Sequence, residues 1–389
     1  MESRSGTAWD ADCVVVGASF AGLASALALA RAGLRVTVLE KKADVGSKLH
    51  TTGVIVKDAI DEMALLDTLP MHLVRRISGV RLYAPSLRYI DLDAPGYYFL
   101  ATDTPAVLRW LASEVSRAGA AIHCNSAFTG ARRVQSGFIV EGFGAARFLI
   151  GADGPRSRVA SALGLGASTR FLAGVEHEYP GVSLPVSQRL HCFIDRRLAP
   201  GYIGWVFAGV GAVQAGLARR RNGRGGLRPR EAMAAFLAKI APVIDLRGLE
   251  PTAIRAGLMP CGGLVSPVAT SRALLVGDAA GMVSPVTAGG IHRALKHGLA
   301  AGHAVADFLL GRAEDPSSRF VRSYPRFSGK RLLRLAFDLL QSDLAFDCLL
   351  ATRPVRAAAS IVYFHRKGAF DAQEGDRQSL PGPPWRTRP

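Results

Sequence analysis

The chain has 389 residues, enough for two domains or for one large domain carrying an insertion. Apolar residues make up 49% and charged residues 20%, which excludes a disordered or fibrous chain. Lys and Arg number 48 against 31 Asp and Glu, and the net charge of +17 attracts anions: phosphate groups, an acidic carrier protein, anionic lipid or nucleic acid. A genome that uses Arg freely accounts for the same surplus.

The five cysteines, Cys13, Cys124, Cys192, Cys261 and Cys348, are odd in number and form no C-x-x-C pair. That argues against a disulfide framework or a zinc site and fits a reducing cytoplasm. Residues 13–30 are uncharged and close to membrane-span length. Glu2, Asp10 and Asp12 before them are wrong for a signal peptide, and Gly17 and Gly22 interrupt the run. A strand, a turn and a buried helix describe it better, and no other stretch is long enough to span a bilayer.

In chain order, CVVVG (13–17) reads as a strand buried on both faces of a parallel sheet. Phe20 to Ala32 reads as a helix ended by Gly33, and LRVTVLE (34–40) as a second strand. This is a βαβ unit, which requires parallel pairing. VRLYAPSLRYIDLDA (80–94) and much of 168–217 alternate as antiparallel strands do. The α/β pattern returns at RFLIGADG (147–154) and RALLVGDAAG (272–281), the latter followed by a helix from Gly290 to Leu310. The expected fold is α/β, a Rossmann-like domain with an inserted, mostly antiparallel substrate sheet and C-terminal helices. The expected boundaries are 1–78, 101–164 and 263–313 for the nucleotide domain, 79–100 and 165–262 for the substrate domain, and 314–389 for a helical region with a frayed tail.

The first turn, Gly17-Ala18-Ser19-Phe20-Ala21-Gly22, is a G-x-G-x-x-G fingerprint with Ser at the second glycine. Gly17 permits the sharp turn, the middle position lets backbone approach a pyrophosphate, and Gly22 lets the helix pack close. The helix N-terminus offers free N–H groups to phosphates, and Ser19 adds a hydroxyl. Glu40, 23 residues after Gly17, suits two ribose hydroxyls and repels a 2′-phosphate; Lys41 follows it.

Two further motifs separate FAD from NAD. One is Gly151-Ala152-Asp153-Gly154 with Arg156 and Arg158. The other is Gly277-Asp278-Ala279-Ala280-Gly281 with Pro285 and Gly289-Gly290-Ile291. A buried Asp needs a donor, and a ribityl hydroxyl supplies one. Gly289 and Gly290 open a helix whose amides face a flavin and favour the negative charge of its reduced form. FAD held non-covalently is therefore expected.

These motifs, in this order, resemble the FAD pattern of the p-hydroxybenzoate hydroxylase fold group. Within it the chain most resembles the geranylgeranyl reductase family, from about Asp12 to Leu340. GDAAGMVSPVTAGGI (277–291) is similar to GDAAG-x-x-x-P-x-x-G-x-GI. Tyr202-Ile203-Gly204-Trp205-Val206-Phe207 is similar to Y-x-x-W-x-F-P, with Ala208 where proline is usual. The W-x-W-x-I-P motif of related halogenases is absent. Family members often carry Cys-Gly after the Glu strand; here Thr52 precedes Gly53, which excludes a role for a thiol there. The Arg that usually precedes the next helix is missing from Thr102-Asp103-Thr104-Pro105, and Arg109 lies a turn later.

The resemblance implies reduction of C=C bonds in a prenyl or other hydrophobic unsaturated substrate, by hydride from flavin N5 and a proton. NAD(P)H or another reductant would supply the electrons. Tyr202, Trp205 and Phe207 are candidates to line a lipid-binding cleft, with Trp205 and Phe207 on one strand face; an ordinary core cluster is the alternative. His50 and Thr52 are the candidate catalytic residues. His292, His297 and His303, spaced by 5 and 6, do not share a helix face, so no metal site is expected. RFSGKRLLRLAFDLLQ (326–341) reads as an amphipathic helix, either a cap on the flavin domain, which we favour, or a peripheral contact with an anionic membrane. Nucleic-acid binding is not expected. Two alternatives share the fold: an FAD monooxygenase of an aromatic or polyketide substrate, free or carrier-bound, and a membrane-associated electron-transfer flavoprotein.

Overall fold

The computed structural model describes residues 8–220, 228–284, 289–318, 320–325 and 342–364. The chain forms two compact units, one of residues 1–48, 105–170 and 260–328, the other of 49–104, 171–259 and 329–389. The expected helix at 326–341, Arg319, Pro285, the Gly/Arg loop at 221–227 and the Pro-rich tail lie outside the described residues.

The first division falls after Lys48 and not after residue 78. Strands Val54–Val56 and Val74–Ile77 both pair with Phe99–Thr102, so their hydrogen bonds bind this stretch to the second unit. Likewise 314–325 does not begin a separate C-terminal region. Tyr324 is buried in the first unit's core and donates its hydroxyl to Leu275 O at 2.9 Å.

The first unit is built on an eight-stranded sheet. Its parallel strands lie in the order Ala273–Leu275, Gly144–Gly151, Ala11–Val16, Val36–Leu39, Ala121–His123. Cys13 is in register with Phe148 on one side and with Val36 on the other. The central strand ADCVVV is nearly all buried, as a strand covered on both faces must be. Burial pushes the Cys13 thiol well above its ordinary range, so it behaves as a small core residue. Helix Phe20–Arg31 follows, and Gly33 closes it at φ +81°.

That helix packs against helix Ile291–Leu309 through small residues. Ser25 Oγ donates to Gly298 O at 2.9 Å. A Cβ on Gly302 would stand 2.5 Å from Ser25 O, so only glycine admits so close an approach.

The second unit holds a seven-stranded sheet in the order Ala253–Pro260, Phe171–Pro180, Ala212–Arg220, Gly204–Ala208, Arg189–Phe193, Gly79–Tyr83, Tyr89–Asp93. Antiparallel pairing joins 171–180 to 212–220, 212–220 to 204–208 and 204–208 to 189–193; the link from 189–193 to 79–83 is parallel. Val175, Val206, Ala215, Leu217 and Phe193 form one buried face with helix Pro229–Ile240. The alternate residues, Glu176, Glu178, Trp205, Phe207 and Gln214, point to the other face. Near the chain end, helices Asp343–Leu349 and Arg353–Phe364 belong to this unit. Among the described residues no helix is long and apolar enough to cross a membrane.

Candidate dinucleotide and substrate sites

Parallel strands end on one edge of a sheet, and the motifs of the first unit sit at those ends. Gly17 follows Val16, Glu40 follows Leu39, Ala152 and Asp153 follow Gly151, and Gly277 and Asp278 lie just past Leu275. The central strand is where the chain order reverses, and that reversal opens a crevice for a dinucleotide.

The motifs touch one another. Gly17 has φ +101°, and a Cβ there would lie 2.5 Å from Ala152 O. Gly22 lies so close under Gly17 O that it admits no side chain, and its Cβ would also meet Ala152 Cβ at 3.0 Å. A Cβ on Gly277 would approach Ala21 Cβ to 2.8 Å. Phe20 and Ala21 are buried in the first helical turn. These contacts hold backbone amides open at the helix N-terminus, where phosphates bind.

Ser19 caps that helix, accepting from Gly22 N at 3.3 Å. Its hydroxyl hydrogen goes to Ala152 O at 3.1 Å, so it joins two motifs and is not a spare donor. Buried Glu40 accepts from Ala18 N and from Lys42 N, each at 2.9 Å. The carboxylate thus braces the glycine turn while keeping lone pairs for ribose hydroxyls. Lys41 is exposed. Its neighbour Lys42, which the sequence did not single out, donates Nζ to Val45 O at 2.9 Å and Ser47 O at 3.1 Å, and burial lowers its pKa. Arg109 grips Asp44 in the same loop, Nε to Oδ1 at 3.0 Å and Nη2 to Oδ2 at 2.5 Å, which holds the Asp44 carboxyl below its ordinary range.

The two motif aspartates differ. Asp153 accepts from Ser157 Oγ and Arg158 N, both at 2.6 Å, and from Val159 N at 3.2 Å. Its donors come from the short helix it caps. For Asp278, no described residue donates to the carboxyl, and desolvation alone pushes its pKa up to about 6. It stands beside the glycine pair, with 3.7 Å between its Oδ1 and a Cβ on Gly290, and Gly290 opens the helix at Ile291 without a side-chain cap. Gly289 precedes it, exposed. A desolvated acceptor to which no described residue donates, next to a helix start whose N-cap is a glycine, fits a ligand that carries hydroxyl groups and develops negative charge. The residues present therefore fit FAD.

In the second unit Trp205 and Phe207 share a face of strand Gly204–Ala208, and Tyr202 lies just before it. Phe207 has no exposed surface, Trp205 is 9% exposed, and Tyr202 is half-buried with its ring 6.4 Å from the indole, edge-on. The Trp205 indole donates to Glu176 Oε2 at 2.8 Å. Glu176 is buried and also meets Arg255 Nη1 at 3.5 Å and the Thr52 hydroxyl; desolvation raises its pKa against these partners. Arg255 is also paired with Glu178 and donates to Thr51 O at 3.3 Å. His50 is exposed, with Nδ1 2.6 Å from Ala256 O. The sequence reading missed Glu176, Glu178 and Arg255. The signal was two acids, two residues apart and so on one face, in the strand segment GVEHEYP.

His297 is shifted down to about 4 by burial, and among the described residues no cluster of His, Cys, Asp and Glu could hold a metal ion.

A family model described as FAD binding domain matches residues 10–318. The chain is 30% identical over 339 residues to digeranylgeranylglycerophospholipid reductase 2 of Methanopyrus kandleri, covering 80% of this chain and 81% of that one. It is 28% identical to the reductase of the same name from Methanosphaera stadtmanae, over 77% and 79%. Among solved structures, a geranylgeranyl bacteriochlorophyll reductase-like protein of Thermoplasma acidophilum superposes with a TM-score of 0.78 at 19% identity, covering 92% and 97%.

Proposed function

The chain belongs to the FAD binding domain family and, within it, to the geranylgeranyl reductases, and on that premise we propose that this FAD-dependent oxidoreductase saturates C=C bonds in the prenyl chains of a lipid. The observation that carries the reading is the likeness to prenyl-lipid reductases along four-fifths of the chain. The two-motif contact at Ala152, the braced Glu40 and the donor-poor Asp278 support a resident FAD.

When bound, reduced FAD supplies a hydride. The chain's residues bind and orient. The amides of Ser19 to Ala21 would hold the pyrophosphate, since Ala18 N and Gly22 N already donate to Glu40 and Ser19; Glu40 would take the ribose hydroxyls, Asp278 would accept from the sugar-alcohol chain, and the helix start at Gly290 and Ile291 would face the ring. Arg109 steadies the loop after Glu40 through Asp44. A prenyl chain offers almost no hydrogen bonds, so Tyr202 and Trp205 bind it by apolar contact, at about 25 cal/mol per Å² buried, whereas Phe207, with no exposed surface, is a core residue of the sheet and not a substrate contact. His50 and Thr52 are the groups proposed to hold or pass the proton that reaches the second carbon. The physiological electron donor is NAD(P)H or another reductant.

A lipid substrate calls for access to a lipid surface. On the last two described helices Leu344 is 74% exposed and Leu349 and Ile361 are each 50% exposed, and Arg353 and Arg356 are exposed too. Apolar side chains with adjacent cations suit peripheral contact with anionic headgroups.

The test is anaerobic. Chemically reduced holoenzyme is mixed with a geranylgeranyl lipid in detergent micelles, and the product is weighed by mass spectrometry. A gain of two hydrogens per double bond, with the flavin reoxidised, is expected. Failure to reduce any C=C without oxygen, together with oxygen-dependent hydroxylation of an aromatic substrate, overturns the reading in favour of a monooxygenase.

A further inference from the structure

Three strands of the second unit place Glu176, Gly216 and Trp205 in one row: Glu176 is in register with Gly216, and Gly216 with Trp205. The middle position has no side chain. A Cβ on Gly216 would stand 2.7 Å from Trp205 Cζ2 and 2.8 Å from Cε2, so the indole lies flat across that strand. Only by crossing it does Nε1 reach Glu176 Oε2, at 2.8 Å.

Glu176 is also the meeting point of other elements. The Thr52 hydroxyl and Arg255 Nη1, from the 49–53 segment and strand Ala253–Pro260, turn to its carboxyl. Arg255 in turn pairs with Glu178 and donates to Thr51 O at 3.3 Å, and so ties the same segment to the sheet. Gln214 donates to Glu178 at 3.1 Å. Three donors converge on one buried acceptor. Arg255 would keep Glu178 and Thr51 O, but the indole N–H left without Glu176 would be desolvated and would lose its acceptor, which costs more than the bond itself contributes.

We propose that Glu176 is a positioning residue for the prenyl site: through one carboxyl it locks the Trp205 indole flat over Gly216 and fixes Thr52 beside it. This rests on the reading that Trp205 binds the substrate chain. Glu176 does not meet the chain; it sets the plane that the indole presents and the place of the Thr52 hydroxyl.

The test uses FAD-loaded full-length protein and a geranylgeranyl lipid in micelles. Glu176→Leu removes the acceptor; Glu176→Gln keeps a carbonyl oxygen for the indole and serves as the conservative variant. Gly216→Ala pushes the indole off its seat while leaving the Glu176 carboxyl in the chain, although its Cβ also meets Val175 O at 2.8 Å on the neighbouring strand. Glu176→Leu and Gly216→Ala are each expected to raise KM about tenfold, the order expected when a hydrogen bond to a charged group is lost, with FAD content unchanged. Glu176→Gln recovers most of the affinity. In a Trp205→Phe background Glu176→Leu adds little to KM, because the two act as a unit. The part of the tryptophan emission that disappears in Trp205→Phe shifts in Glu176→Leu.

If Glu176→Leu folds, keeps wild-type KM and leaves that emission unchanged, the proposal is overturned. If Glu176→Leu fails to fold, Gly216→Ala and Glu176→Gln decide it: wild-type KM and emission in both overturns it. Absence of C=C reduction by the wild-type protein is a failure of the functional reading instead, and the emission comparison still tests whether Glu176 holds the indole.

Discussion

Ser19 Oγ donates to the carbonyl oxygen of Ala152 at 3.1 Å, joining two glycine motifs that are 133 residues apart in the chain. Ser19 Oγ also accepts from Gly22 N, so one hydroxyl both caps the first helix and clamps the turn to the neighbouring strand end. Replacing Ser19 by Ala removes both bonds. We expect a loss of about 1 kcal/mol, or about 2–4 °C in the melting temperature, with weaker FAD binding. Thermal melts and FAD titration of apoprotein check it. Unchanged values in both would mean that the clamp contributes nothing.

Asp278 gives a pH signature. In the folded apoprotein its carboxyl titrates at about 6, above the unfolded value of about 4. Between these values the folded chain holds a proton that the unfolded chain has released. Acid therefore favours folding, and this contribution is lost as pH rises towards 6, with no further change above. Asp278→Asn has no charge to desolvate. Its apoprotein should melt higher than wild type above pH 6, and the gap should close near pH 4. A gap independent of pH would contradict the assignment.

The same side chain should matter for the cofactor. Asp278→Ala is expected to weaken FAD binding about tenfold to a hundredfold, whereas Lys41→Ala, at an exposed position, should change it little. Flavin content after equal dialysis reports the difference. Equal retention would show that Asp278 is not a cofactor contact.

Arg109 and Asp44 are 55% and 38% exposed, so breaking their pair should cost less than about 1 kcal/mol of stability. The expected effect is on FAD release, through the loop that follows Glu40. Arg109→Ala and Asp44→Asn should speed release equally, and the double variant should be no faster than either. A larger effect of Arg109→Ala alone would mean that the guanidinium reaches the cofactor directly.

Lipid contact can be read by sedimentation with vesicles. Binding to vesicles containing anionic lipid should exceed binding to zwitterionic ones, fall with added salt, and fall when Arg353 and Arg356 become Gln or Leu344 and Ile361 become Ser. Equal partition of all variants would remove the case for this surface.

The sequence by itself determined the first unit's edge. Apolar strands joined through a crossover helix pair in parallel, and parallel pairing brings their C-terminal glycines and acids to one edge, so the places of Gly17, Glu40, Asp153 and Gly277-Asp278 were legible from pattern alone. It also showed Trp205 and Phe207 on one strand face, because the side-chain period of a strand is two. What each acid does was decided only by tertiary structure. Asp153 and Asp278 stand in similar motifs, yet one accepts the first two amides of a helix that starts five residues later and the other meets no described donor. Spacing does not fix where a carboxyl finds its protons. The unit boundary at Lys48 depended on strands 54–56 and 74–77 choosing 99–102 as a common partner, a long-range pairing that no local pattern encodes. The junction of Trp205, Glu176, Arg255 and Thr52 draws on segments up to 204 residues apart, and only the register across Gly216 lets the indole reach its acceptor.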